Sequence, residues 1–156
     1  MYAPIKGRFP SLRPWFEQSS SMRYLLDTNT CIAAMRQNAA VVNRLSAVSP
    51  GDCAISTITS YELFTGVEKC ADPVRERSKV QLLLTTVCQL VFDEEAARES
   101  GRVRALLEAQ GRMVGPYDIL LAGHGLAAGL TVVTANSGEF SSVPALVVEN
   151  WIQPAT

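Results

Sequence analysis

The chain has a single histidine, His124, no Gly-x-Ser-x-Gly sequence and no serine on a strand-to-helix elbow, which argues against a Ser-His-Asp hydrolase. It has no Gly-x4-Gly-Lys-Ser/Thr run either, which excludes a P-loop. Four cysteines, at 31, 53, 70 and 88, include no Cys-x-x-Cys pair to begin a zinc site, so reduced, buried thiols are expected. The first 21 residues contain no apolar run long enough for a signal peptide or a membrane span, and a cytoplasmic protein is expected. Net charge is nearly absent, at −1. Lys6, Arg8 and Arg13 against Glu17 leave +2 in the first 21 residues and therefore −3 in the remainder. Tight, sequence-blind duplex binding needs a clearly basic surface, which this body does not have.

What is present describes a globular domain. The 156 residues are 47% hydrophobic and 19% charged, which excludes disorder, collagen and a disulfide-stapled miniprotein. A domain of this length buries roughly 68–70% of its unfolded surface, so it needs no metal merely to fold. Residues 1–21 mix Pro, Gly, Ser and basic residues without periodicity and read as a flexible tail, and Met22 opens a different text. Five short apolar runs follow, RYLLD, CAIS, LVFD, TVVT and LVVEN, each too short for a buried helix. The stretches between them read as helices: TNTCIAAMRQ, AAVVNRLSAV, TITSYELFTGVEKC, PVRERSKVQLLLTTV, EEAARESGRVRALLEAQ and PYDILLAGHGLAA. This alternation predicts an α/β domain with a mostly parallel sheet.

The last two helices differ. PYDILLAGHGLAA is apolar on nearly every side and should be buried, whereas EEAARESGRVRALLEAQ spaces its charges as Glu94/Arg98, Glu99/Arg102 and Arg104/Glu108 and should be exposed. Gly111 and Gly129 follow them where C-terminal caps are expected. GHGLAAG imitates a dinucleotide fingerprint but lies inside a helix that precedes a strand, the reverse of the required order, and reads instead as close helix packing. His124 within it reads as a packing or surface residue. Asp93 reads as an N-cap and Asp52 as a turn residue.

In parallel sheets ligands bind at the carboxyl ends of the strands, and there acids collect. Asp27 closes the run Tyr24–Leu26 and is followed by Thr28 and Asn29; Thr134 and Asn136 occupy the equivalent place after TVV, with Glu139 three residues on. Glu62 in ITSYELF and Asp118 in GPYDILLAG lie in otherwise apolar helical text, where a buried charge costs several kcal/mol unless compensated. Taken singly, each has an ordinary explanation: a helix cap for Asp27, a first-turn dipole partner for Asp118, an arginine pair for Glu62. Taken together, three or four acids from separate elements would make an oxygen-rich cage of the kind Mg²⁺ or Mn²⁺ prefers.

The ordered set LLDTN, ITSYELFTGVEK, GPYDILLAGHGLAAGLTVVTANSGEF and VVENW resembles PIN-domain proteins, and closely the VapC-type toxins of bacterial toxin–antitoxin pairs, over nearly all of residues 22–152. The resemblance implies a three-layer α/β/α PIN-like domain over residues 22–156. It also implies a metal-dependent endoribonuclease with Asp27, Glu62, Asp118 and Glu139 as catalytic acids, the first three holding Mg²⁺, for which Mn²⁺ can substitute. Many members carry an acid directly after strand four, where this chain has Asn136; Glu139 is the nearest carboxylate. Thr28, Asn29, Thr134 and Asn136 would orient carboxylates or water. The implied partners are a VapB-like antitoxin, a structured RNA such as a tRNA, and a second copy of the chain in a homodimer within a larger toxin–antitoxin complex. The rival reading, favoured by Asn136, is a catalytically weakened PIN-like binding module in an antitoxin repressor complex. A deoxyribonuclease or phosphatase using the same acids is a third, since metal chemistry does not by itself choose RNA.

Overall fold

The computed structural model describes residues 22–153, so the tail expected over residues 1–21 lies outside the described residues. Five strands form one parallel sheet in the order β3-β2-β1-β4-β5: β1 Tyr24–Leu26, β2 Cys53–Ser56, β3 Cys88–Leu90, β4 Thr131–Val133 and β5 Val148–Glu149. Seven α-helices accompany them: α1 Thr28–Met35, α2 Ala39–Ala47, α3 Thr57–Lys69, α4 Pro73–Thr86, α5 Glu94–Ala109, α6 Pro116–Ala128 and α7 Ser137–Phe140.

Because successive strand residues face opposite ways, β1 feeds two cores. Tyr24 and Leu26 pack with Cys53, Ile55 and residues of α1 to α4, while Leu25 joins Ala54, Val132 and Leu121 of α6 on the other face. A third cluster, Val103, Leu107, Ala122, Phe140 and Val143, fills the space between α5, α6 and α7. The result is a three-layer α/β/α domain. Every residue of β1 and β2 is buried, as expected of parallel strands covered on both faces.

The chain builds β2 and β3 on one side of β1, then crosses to lay β4 and β5 on the other. The strand order therefore reverses at β1, and the crevice at the carboxyl ends of β1 and β4 is where such folds bind ligands. Asp27 and Thr134 stand there.

The helices begin where short polar side chains cap them. Asn38, Asp72 and Asp93 each accept a backbone N–H three residues on, and Pro73 and Pro116 open first turns that require no donor. Gly129 ends α6 with φ 67°, and Gly111 takes the same φ beyond α5. Asp52 sits in a short 3₁₀ turn, Pro50–Asp52, and accepts the Ser49 N–H at 3.2 Å.

Two strand expectations shift. LVFD is expected to be a strand, yet β3 ends at Leu90, because its partner Ser56 is the last residue of β2 and the chain turns there into α3. Val91 is left exposed, and the Phe92 N–H turns to Thr57 Oγ1 at 3.1 Å. LVVEN shrinks to Val148–Glu149 because β4 offers partners only through Val133. The cysteines also divide: Cys31 and Cys53 are buried, but Cys70 is half-buried and Cys88 exposed on the edge strand, correcting the expectation of four buried thiols. Burial raises the Cys31 thiol far above its usual range and pushes Cys53 up to about 11.

The packing reading of GHGLAAG holds. A Cβ on Gly123 would run into the side chain and backbone of Ser100 on α5, so only glycine permits this approach of α5 and α6. The helix α5 itself is two-sided: Ala96, Ser100, Val103 and Leu107 are buried against α6, and its charges face solvent.

Candidate active site

Asp27, 4% exposed, follows β1 and caps α1; its Oδ1 accepts the Thr30 N–H at 2.7 Å, which fixes the carboxylate at the crevice. The cap itself contributes about 1 kcal/mol and commits one oxygen. Glu62 lies one turn into α3, which starts where β2 ends, and Thr28 Oγ1 donates to its Oε1 at 2.7 Å. Asp118 occupies the first turn of α6, where the helix dipole favours an anion. Asp27, Thr28, Asn29, Glu62 and Asp118 line one cleft with Ile58, Thr59, Tyr117 and Leu121. The cleft holds about 90 Å³, room for an ion with some of its waters but too little for a nucleoside.

Glu139 approaches from α7 and faces Asp118 from the rim. Asp118 is pushed up to about 7, by burial first, then by a hydrogen bond with Glu139 and the charges of Glu139, Asp27 and Glu62. Four acids thus repel one another at one place, and none forms an ion pair among the described residues. Perturbed acids crowded in a cleft make it a candidate functional site. No three carboxylates, thiols or imidazoles of the described residues converge tightly enough to bind one ion directly. The cage expected from Asp27, Glu62 and Asp118 is therefore not preassembled, and an ion there would take one or two direct carboxylates and complete its shell with water, as Mg²⁺ does.

The residues expected to support the acids divide. Thr28 holds Glu62, and Asn29 lines the cleft. Thr134 is fully buried, and its hydroxyl accepts the Asn136 N–H at 3.0 Å rather than touching a carboxylate. Asn136 is exposed outside the cleft lining, and its side chain makes no capping bond to α7. These two residues shape the turn that delivers Glu139.

Sequence reasoning did not single out Thr30, whose place three residues after a capping Asp was the available signal, or Tyr61 and Tyr117, which directly precede Glu62 and Asp118. Their hydroxyls are 3.3 Å apart, and that hydrogen bond, followed by the charges of Tyr61 and Glu62, holds the Tyr117 phenol above its ordinary range. His124 is buried behind the site, with its ring edge-on to Phe92 and Nδ1 2.9 Å from Ser56 Oγ. Ser56 ends β2 and caps α3, which corrects the expectation that no serine stands on a strand-to-helix elbow, but it is fully buried. Burial lowers the His124 pKa, and His124 packs rather than lining the cleft.

A parallel sheet whose strand order reverses beside a cluster of unpaired acids defines an α/β protein with an acidic cleft at its topological switch point. Residues 24–146 match the PIN domain model. The chain is 37% identical to the tRNA(fMet)-specific endonuclease VapC of Shigella flexneri, across 83% of this chain and 98% of that protein. It is 34% identical to ribonuclease VapC2 of Rickettsia felis, with the same coverage. Among solved structures it resembles DNA-bound VapBC from Salmonella typhimurium, with a TM-score of 0.79 at 37% identity over 83% of this chain and 98% of that one. The chain belongs to the PIN-domain family and, within it, to the VapC group.

Proposed function

We propose that this protein is a metal-dependent endoribonuclease and the toxin of a toxin–antitoxin pair. The observation that carries the chemistry is the convergence of Asp27, Glu62 and Asp118 on one cleft, with Glu139 facing Asp118 from the rim and no cationic partner among the described residues. Asp27, Glu62 and Asp118 would hold Mg²⁺ or Mn²⁺, with water completing the coordination. An ion held there would supply Lewis acidity toward a water and the scissile phosphate, the chemistry that in-line cleavage needs. The chain's own groups prepare that chemistry. Thr30 fixes Asp27 through its N–H, Thr28 fixes Glu62 through its hydroxyl, and Glu139 faces the Asp118 carboxyl from the rim.

The step to RNA rests on the relatives, which are named ribonucleases and, in two cases, tRNA(fMet)-specific endonucleases. Structured RNA with unpaired loops, tRNA first, is the proposed substrate. Solved relatives are titled VapBC complexes, and from these we infer a VapB-like antitoxin as partner, a homodimer within a larger complex, and action in the cytoplasm. No helix of the described residues is long and apolar enough to cross a membrane. One observation favours the rival reading of a silent binding module: no three potential ligands of the described residues are preassembled.

Incubation of antitoxin-free protein with total small RNA in Mg²⁺, Mn²⁺ or EDTA, beside Asp118→Asn, separates the two. Discrete products from the parent alone, abolished by EDTA, are expected. Folded parent with no products in any ion would establish the silent module.

A further inference from the structure

Beside the acid cleft the surface carries three aromatic side chains that the catalytic reading does not use. Tyr61 and Phe64 are one turn apart on α3, at 55% and 42% exposure, and Tyr117 stands across from them on α6 at 41%. The Tyr61 and Tyr117 rings lie 5.8 Å apart at 48°, tied by the hydroxyl contact, and Tyr117 is itself part of the cleft wall. Leaving rings half in water forgoes the gain from burying them, so a pair serving only to staple α3 to α6 would be expected to turn inward.

We propose that Tyr61 and Tyr117 form a stacking platform for unpaired bases of the RNA strand, positioning its backbone over Asp118. This rests on the ribonuclease reading and names how the substrate is held. A base cannot enter between the rings, since two stacking separations require roughly 7 Å. It stacks on an outer face instead. Aromatic stacking suits single strands and loops, whose bases are splayed and whose recognition does not need a basic surface. This matches a body whose net charge is slightly negative and a cleft lined by acids. Tyr117 adjoins Asp118 and Tyr61 adjoins Glu62, so a base held on either ring brings its phosphodiester to the acids. Both tyrosines are positioning residues.

The test uses the full-length protein in EDTA, which stops cleavage, with a short single-stranded RNA containing 2-aminopurine. Tyr61→Leu and Tyr117→Leu are expected to weaken binding about tenfold each and to remove the quenching of the fluorescent base, while Tyr61→Phe and Tyr117→Phe keep both. Since the rings carry no charge, the salt dependence of binding should stay at the parent's slope. Leu variants that bind and quench like a parent that cleaves RNA would overturn this inference alone. Leu variants that turn a dimer into a monomer in light scattering, with RNA binding intact, would assign the rings to a protein interface and overturn it too. A parent that neither binds nor cleaves RNA would remove the ribonuclease reading and the platform with it.

Discussion

Two regions of this molecule collect acidic side chains and treat them in opposite ways. On the outer face of α5, Glu94, Glu99 and Glu108 pair with Arg98, Arg102 and Arg104 at 2.5–2.9 Å, in water. At the carboxyl edge of the sheet, Asp27, Glu62 and Asp118, wholly or partly buried, and the exposed Glu139 face one another with no ion pair among the described residues, and the Asp118 carboxyl is pushed up to about 7. The α5 charges lie three or four residues apart on one helix, so their neutralisation is local and worth little. The cleft acids come from four elements separated in sequence, and only the fold brings them together. Partnered acids on a surface keep a protein in solution; unpartnered acids at a topological switch point are where the proposed cation site lies.

The contrast can be broken from either side. The largest effect is expected from Asp27→Asn or Asp118→Asn, each of which should cut RNA cleavage by about a hundredfold or more while the protein stays folded, measured as initial rates in Mg²⁺. Asn at position 27 can still cap α1, which isolates the lost charge from the lost cap. Next in size is Gly123→Ala, where α5 meets α6: overpacking typically costs about 1–3 kcal/mol, and the facing backbone of Ser100 cannot yield as a side chain does, so chemical denaturation should show a loss at the top of that range.

A smaller effect is the pH dependence of stability. Asp118 is raised when folded, so the native state binds more protons than the unfolded one between about pH 4 and 7. Its contribution to stability therefore falls as pH rises through that window, modestly, because the group is half-exposed. Denaturation of metal-free protein across pH should show Asp118→Asn with a flatter profile that overtakes the parent above neutrality. The smallest change is expected from Arg98→Ala, within about 0.5 kcal/mol of the parent and with unaltered cleavage. A larger loss there would mean that the α5 face contributes to the site.

Much of the layer order was legible because period and punctuation agree in this chain: CAIS and PYDILLAGHGLAA occupy the expected residues, and Asp93 caps α5. The strand ends at Leu90 and Glu149 were not, since each is set by where the neighbouring strand stops, which no local pattern encodes. At the site, Asp27 and Asp118 declare themselves by charge in apolar text, and Glu139 is found only through its spacing from TVV. The division of labour between Asn136 and Glu139 depends on the turn of α7, and the tyrosine pair on a contact across 56 residues, so neither could be read from the chain.

The most direct measurement is the melting temperature of metal-free protein titrated with Mn²⁺ at about pH 8, where Asp118 is ionised, for the parent, Asp118→Asn and Arg98→Ala. Binding at a hundredfold excess over Kd stabilises by about 2.7 kcal/mol, a shift of several degrees. The expected result is that the parent and Arg98→Ala rise together while Asp118→Asn starts higher and hardly responds. The same rise in all three, or none in any, would contradict the assignment of the acid cleft as a cation site.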